Sequence, residues 1–273
     1  AREWARAYTG RAFDRGELVK RELPHGNAGD FQGFLFNTRW PKFQDVRVRE
    51  ALYRSIDIEA IKKSVMRGMS LPTGAMISPQ VHGYSDELGK RVPYDVEKAK
   101  ALLKEAGYDN NLEFTLDCSN NRYINDEAIC QAVVAMWARA GVKAKLNAMP
   151  RATFFPKIAN GDFSVYLFGW GVPTFDAYYT LESLIRSKGE GAAGAFNYGG
   201  YSNPKVDALI DAVKTEVDDA KRTAMIREAF TIHAKEFGTI PLHDQVIPWA
   251  MKKNIEITHQ PNNRPVVERI TIK

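Results

Sequence analysis

A chain of 273 residues, 44% hydrophobic and 26% charged, is long enough for one large or two ordinary domains and buries roughly 75% of its unfolded surface, which excludes a disordered, collagenous or low-complexity protein. The net charge of +5 and a pI near 9.0 permit a weak attraction to anions, but the basic residues are scattered, with Arg47-Val-Arg49 and Lys252-Lys253 reading as solvated faces, so nucleic acid is not expected as a partner. No apolar run approaches the roughly 18 residues that spanning a bilayer needs.

The chain opens at Ala1-Arg-Glu-Trp, with neither an initiator Met nor an apolar leader, so a targeting segment is expected to have been removed or to lie upstream. Residues 31 to 37 read as a buried strand. Asp45 then caps a helix with apolar positions at Val48, Leu52, Ile56 and Ile61. From about Ser70 to Pro93 periodicity disappears, and Pro72, Gly74, Pro79, Gly83 and Pro93 punctuate a stretch that reads as an interdomain crossing. Asp95 caps the next helix, which carries Val96, Ala99, Leu102, Leu103 and Ala106 on one face and ends at Gly107.

Alternation follows: strand 112–118, helix 126–140, strand 142–148, a short helix 152–160 and strand 163–168. This βαβαβ order predicts right-handed crossovers and a largely parallel sheet covered on both faces. Asn203-Pro204 opens one further helix, and a second runs from about Asp219 to Glu236. The tail holds two strand-like runs, 240–251 and 266–272, separated by the turn formers 261–265.

Strands in parallel bring their carboxyl ends to one edge, where ligands of open α/β sheets bind. The residues leaving that edge are Cys118-Ser-Asn-Asn121, Met149-Pro-Arg151 and Gly169-Trp-Gly171. Glycines allow another backbone to approach, and a Trp supplies a flat apolar wall, so the combination suits an extended polar ligand. Trp170 therefore reads as a cleft wall, with plain core as the alternative.

Gly189-Glu-Gly191-Ala-Ala-Gly194 matches a dinucleotide fingerprint, yet a helix-like segment precedes it and no helix follows, so it reads as a mobile loop. Of His25, His82, His233, His243 and His259, only His243 adjoins another candidate ligand, Asp244. Asp176 sits among Phe175, Tyr178 and Tyr179, where it either caps a helix or pairs with a ligand ammonium. Asn197 and Tyr198 belong to a cleft or a turn. Cys118 and Cys130 either form one bridge or remain two thiols.

Together several segments resemble the peptide-binding family (family 5) of extracellular solute-binding proteins, the oligopeptide and dipeptide receptors of ABC importers. They are Phe34-Leu-Phe-Asn-Thr38 with Phe43-Gln-Asp-Val-Arg-Val-Arg-Glu-Ala-Leu52, the run from Pro93 to Tyr108, Gly169-Trp-Gly171, and the run from Tyr201 to Ile210. The resemblance implies an α/β, periplasmic-binding-protein-like two-lobed clamp with a mixed, largely parallel sheet. It implies part of the first lobe at 1–70, a crossing at 71–94, the second lobe at 95–236 and a return to the first at 237–273.

On the same ground the chain is expected to be a C-terminal fragment of a periplasmic or membrane-associated receptor, exported by a signal peptide that this chain lacks. The receptor would be a monomer when full length, without a cofactor or catalysis, passing peptides or similar extended solutes to a membrane permease. Gly169, Trp170 and Gly171 would line the peptide site, joined by Asn37 and by Arg151, Phe155, Asn197 and His243. The family commonly places an Asp a few residues after the Gly-Trp pair for the ligand's amino terminus, whereas here the run is Val172-Pro-Thr-Phe-Asp176, so the segment looks shortened, and either Asp176 takes that role from a shifted position or the ligand lacks a free ammonium. Two alternatives remain open: a metal or small-cation receptor on this fold, and a hydrolase in which Asp176 and His243 meet a nucleophile such as Ser119.

Overall fold

The structure, a computed structural model, describes residues 18–21, 31–246, 249–257 and 266–273. Its main body is one six-stranded mixed sheet in the order β3-β7-β2-β6-β4-β5, formed by β2 (Phe31–Phe36), β3 (Ser70–Pro72), β4 (Glu113–Ser119), β5 (Lys143–Met149), β6 (Val165–Trp170) and β7 (Thr239–Gln245). The βαβαβ reading holds, since β4 pairs in parallel with both β5 and β6. The remaining three pairings, β2 with β6 and with β7, and β3 with β7, are antiparallel.

Side chains alternate across the sheet, and the two faces take different cores. Val165 and Leu167 join Phe34 and Phe36 in the cluster under α1 (Val46–Arg54), α2 (Val96–Glu105) and α3 (Asp126–Arg139). Tyr166 and Phe168 join Phe31 and Leu35 in the cluster under α4 (Arg151–Ala159), α5 (Tyr178–Thr180) with its π turn Leu181–Ile185, α6 (Pro204–Thr215) and α7 (Asp219–Lys235). The predicted caps form: Asp45 accepts from the Arg47 amide, Asp95 from Lys98 and Asn203 from Lys205 and Val206. Gly107 ends α2 with φ +84°, a conformation that costs glycine nothing. The Gly189–Gly194 stretch forms successive turns, with the Gly189 amide donating to the Ala193 carbonyl.

The expected lobe boundaries do not match this topology. Phe31–Phe36, assigned to a first lobe, pairs along its whole length with Val165–Trp170 of the second, and Thr239–Gln245 of the return flanks it on the other side. Nor does 71–94 leave the body. β3 is an edge strand on β7, the Thr73 amide donates to the Leu242 carbonyl, and Arg91 donates to the carbonyls of Thr73, Pro241 and Leu242. Proline and glycine mark irregular backbone there, and a partly buried guanidinium pins it down. Two small ladders lie outside the sheet, β1 (Leu18–Arg21) with β8 (Trp249–Lys252), and β9 (Ile255–Ile257) with β10 (Ile270–Ile272). The tail run 240–251 is thus two strands in two sheets. In the second run, Val267–Arg269 is a 3-10 turn ahead of β10, and the predicted turn at 261–265 lies outside the described residues, as do His25 and His259.

Cys118, at the end of β4, is bridged to Cys130 of α3 with Cα atoms 6.7 Å apart, and both sulfurs are buried. Closing so short a loop restricts the unfolded chain by about 3 kcal/mol. Reduction, or Cys130→Ala, is therefore expected to lower unfolding free energy by about that amount, as urea titration with and without reductant will show; unchanged midpoints would refute it.

Candidate functional site

The carboxyl ends of β4, β5 and β6 lie along one edge, and residues leaving them enclose a cavity of about 280 Å³. Its wall is mostly rings: Tyr123 after β4, Phe155 in α4, Tyr166, Phe168 and Trp170 in β6, and Phe196 and Tyr198 ahead of α6. Arg122 is the single charge among the described lining residues, and its guanidinium lies 4.8 Å from the Tyr123 ring centroid. Burial pushes the Tyr166 and Tyr198 phenols up, so both stay neutral near pH 7.

The cleft opens where two strands diverge. β4 is laddered to β6 only at Val165 and Tyr166, whereas β2 follows β6 as far as Trp170. Past Tyr166, among the described residues, no strand lies against that side of β6. There the Tyr123 hydroxyl donates to the Gly169 carbonyl at 3.4 Å. A Cβ on Gly169 would stand 2.5 Å from Tyr123 Cε1, so the glycine seats the Tyr123 ring rather than leaving room for a ligand backbone.

Trp170 is both wall and packing. It lines the cavity, stacks on Tyr179 at 5.1 Å and 18°, meets Phe196 edge-on at 5.1 Å, and donates from Nε1 to the Thr180 hydroxyl at 3.2 Å. Phe155, 42% exposed, lines the cleft from α4 with little else to support, and Gly171 completes the exit from β6.

The other expected site residues lie elsewhere. Asn37 is buried and donates to the carbonyls of Gly161 and Phe163, tying β2 to the turn before β6. Asn197 donates to the Arg186 and Tyr201 carbonyls and accepts from the Tyr201 amide, so it holds a turn. Asp176 accepts the Tyr178 amide as a helix cap and is gripped bidentately by Arg222 at 2.8 and 2.9 Å. Burial pushes its carboxyl up, but the Arg222 bonds, the Tyr178 amide and the Arg222 charge together hold it below the usual range. A carboxylate so engaged is not offered to a ligand ammonium.

Arg151 is exposed at the start of α4 and does not line the cavity; its amide donates to Asn121 Oδ1. His243 is wholly buried in β7, opposite Gln32, and neither ring nitrogen has a partner. The hydrolase constellation does not assemble, because the Ser119 hydroxyl donates to Asp126 and Asp176 is taken by Arg222. Among the described residues no three His, Cys, Asp or Glu gather as metal ligands. Arg122, Tyr123 and Phe196 were missed, and the signal for the first two was present: they directly follow the loop 118–121 already placed on the carboxyl edge.

The model of the bacterial extracellular solute-binding proteins, family 5 middle region, matches residues 4–192. The probable deoxycholate-binding periplasmic protein YgiS of Escherichia coli is 32% identical over 235 residues, 84% of this chain and 42% of that one. The oligopeptide-binding protein OppA of Bacillus subtilis is 28% identical over 243 residues, 86% of this chain and 44% of that one. The chain thus spans less than half the length of these curated relatives. Among solved structures, the periplasmic binding protein DppA of Helicobacter pylori, in complex with the peptide STSA, superposes with a TM-score of 0.84 at 19% identity, covering 97% of this chain and 50% of that one.

Proposed function

Because the chain belongs to family 5 of the bacterial extracellular solute-binding proteins, we propose that it supplies one side of a clamp that captures an extended solute and presents it to an ABC permease. In this reading the six-stranded body is the second lobe, and the two terminal ladders belong to the first. The observation that carries it is the ring-walled cleft beside the last four residues of β6, which β4 leaves unpaired. An extended ligand can lie there with its side chains against the rings, while Tyr123, seated at Gly169, takes that carbonyl. The function is binding without bond-making, and the bridged cysteines fit an exported protein in an oxidising compartment.

The wall also orders the candidate ligands. Arg122 is the one charge among its described lining residues, so a carboxylate or other anionic group is favoured over an ammonium, which would find ring faces but no acid. OppA and DppA take peptides and YgiS is named for a bile acid; a peptide's carboxyl end and a bile-acid carboxylate both satisfy that condition. The test is native mass spectrometry of the purified chain, followed by titration with trialanine, its carboxamide and deoxycholate. A carboxylate ligand is expected to bind, with Phe155→Ala and Arg122→Ala each weakening it about tenfold. Equal affinity for the carboxamide, or indifference to both substitutions, would refute the reading. Trp170→Ala is a poorer probe, because it also removes a stack and a hydrogen bond from the fold.

A further inference from the structure

The rings of the cleft wall are not all apolar at their tips. Tyr166, in β6, is 4% exposed, and three other rings hold its own: Phe163 at 4.7 Å, Phe168 at 6.1 Å and Phe154 at 6.2 Å between centroids. Its hydroxyl bonds none of the described residues, yet it is not closed in by packing as the ring nitrogens of His233 and His243 are. The space it reaches is the cleft, since Tyr166 lines that cavity and is otherwise buried.

Tyr198 supplies a second hydroxyl of the same kind. It lines the cavity from the turn ahead of α6, where its carbonyl accepts from Arg39 at 2.7 Å and its ring meets Phe196 edge-on at 6.1 Å. Its hydroxyl likewise has no partner among the described residues. Burial is the main cause that pushes the Tyr166 phenol up, and the Tyr123 and Tyr198 phenols add to it, so the three hydroxyls lie within electrostatic reach of one another. That of Tyr123 is engaged on the Gly169 carbonyl. Two neutral hydroxyls are left, each able to give one hydrogen bond and to receive another.

Buried polar groups are nearly always satisfied, so two open hydroxyls on a wall of rings mark where the occupant is polar. Water can serve them in the open cleft, but a bare ring displaces that water and returns no hydrogen bond. A ligand hydroxyl answers both, accepting from one phenol and donating to the other. The volume of about 280 Å³ is just below the roughly 300–1,000 Å³ usual for a whole small molecule, so the space takes one ring of an extended solute rather than all of it.

We infer that Tyr166 and Tyr198 are specificity-determining residues of the cleft, selecting a solute that carries a hydroxylated ring over the same solute with a bare one. The inference rests on the cleft's being the solute site, and it names what that site prefers.

The probes are Ala-Ala-Tyr and Ala-Ala-Phe, which differ by one oxygen, titrated calorimetrically into the whole chain at neutral pH. Ala-Ala-Tyr is expected to bind at least about tenfold tighter. Tyr166→Phe should remove most of that preference, and Tyr166→Phe with Tyr198→Phe all of it, by weakening Ala-Ala-Tyr while leaving Ala-Ala-Phe as tight or tighter. Because the Tyr166 hydroxyl holds no bond within the fold, Tyr166→Phe should leave the urea midpoint unchanged or higher. Equal affinity of the two peptides for the parent would overturn the inference and leave the solute reading standing, with water serving the phenols. So would a preference that survives in the double variant, or a midpoint that falls in Tyr166→Phe, which would give that hydroxyl to the fold. If neither peptide binds at about 1 mM, the inference and the cleft as its site fall together.

Discussion

Acidification from neutral pH to about 4.5 is expected to remove a large part of the folding free energy, through His233 and His243. Both are buried without a hydrogen-bond partner, and burial pushes each from 6.5 down to about 3, helped by the charge of Arg49 for His233 and of Arg91 for His243. Between those values the unfolded chain binds protons that the fold refuses. Stability therefore rises with pH across the window from about 3 to 6.5 and falls as pH drops through it. Each group contributes about 1.4 kcal/mol per pH unit, so the pair removes about 5 kcal/mol by pH 4.5, against a usual total of roughly 5–15 kcal/mol.

Carboxylates do not mimic this. Asp45 and Asp176, held below 3.8, lose their stabilising share only as pH falls through and below that value. Asp117, pushed up by burial, works in the opposite direction. Urea titrations at half-unit steps will measure the slope. It should correspond to nearly two protons and fall by one in His233→Phe and by one in His243→Leu. A slope below one proton, or one untouched by both substitutions, would show that these rings are not the cause.

Much of the fold was legible because its signals are local. Helix caps such as Asp45, Asp95 and Asn203 act within three residues of themselves, and the alternation that makes βαβαβ is a periodicity. The parallel strands then located the cleft edge, and Phe155, Gly169, Trp170 and Gly171 line it. What failed was long-range. Asn37 and Asn197 looked like ligand groups because an amide at a strand end has the same sequence appearance whether it faces solute or backbone carbonyls. Asp176 was claimed by Arg222, 46 residues away. Phe31–Phe36 and Val165–Trp170, expected in different lobes, share one sheet, and that pairing leaves no trace in either segment.

Arg49 is the sharpest such case. Arg47-Val-Arg49 reads as a solvated face, and Arg47 does lie half in water on Asp45. Arg49, two residues and about 200° further round the helix, is 7% exposed and, among the described residues, makes no carboxylate hydrogen bond. It donates to four carbonyls instead: Phe43 at 2.6 Å and Gln44 at 3.0 Å ahead of α1, and Glu236 and Phe237 at 3.0 and 3.1 Å past the end of α7. One planar fork thus ties the chain ahead of α1 to the end of α7, reaching Glu236, 187 positions from Arg49, and places a positive charge where the α7 dipole is negative. Burial lowers its affinity for the proton, opposed by the charge of Glu236, but an Arg stays a cation at neutral pH.

Arg49→Leu should therefore cost more than a typical core change. It preserves volume and apolar contact but orphans the carbonyls, and the expected loss is about 3–5 kcal/mol. Arg49→Lys keeps the charge, yet an ammonium cannot span four acceptors held by a rigid fork, so it should recover less than half of that loss. The adjoining Glu236 carboxylate accepts from Tyr201 and Asn203 at 2.6 and 2.7 Å, so the damage should spread to the turn that Asn197 holds and lower protection of the Tyr201 amide in hydrogen exchange. Denaturant midpoints of the two variants decide it. A loss under about 1 kcal/mol for Arg49→Leu would mean that neither charge nor fork joins α1 to α7, and full rescue by Lys would mean that charge alone does.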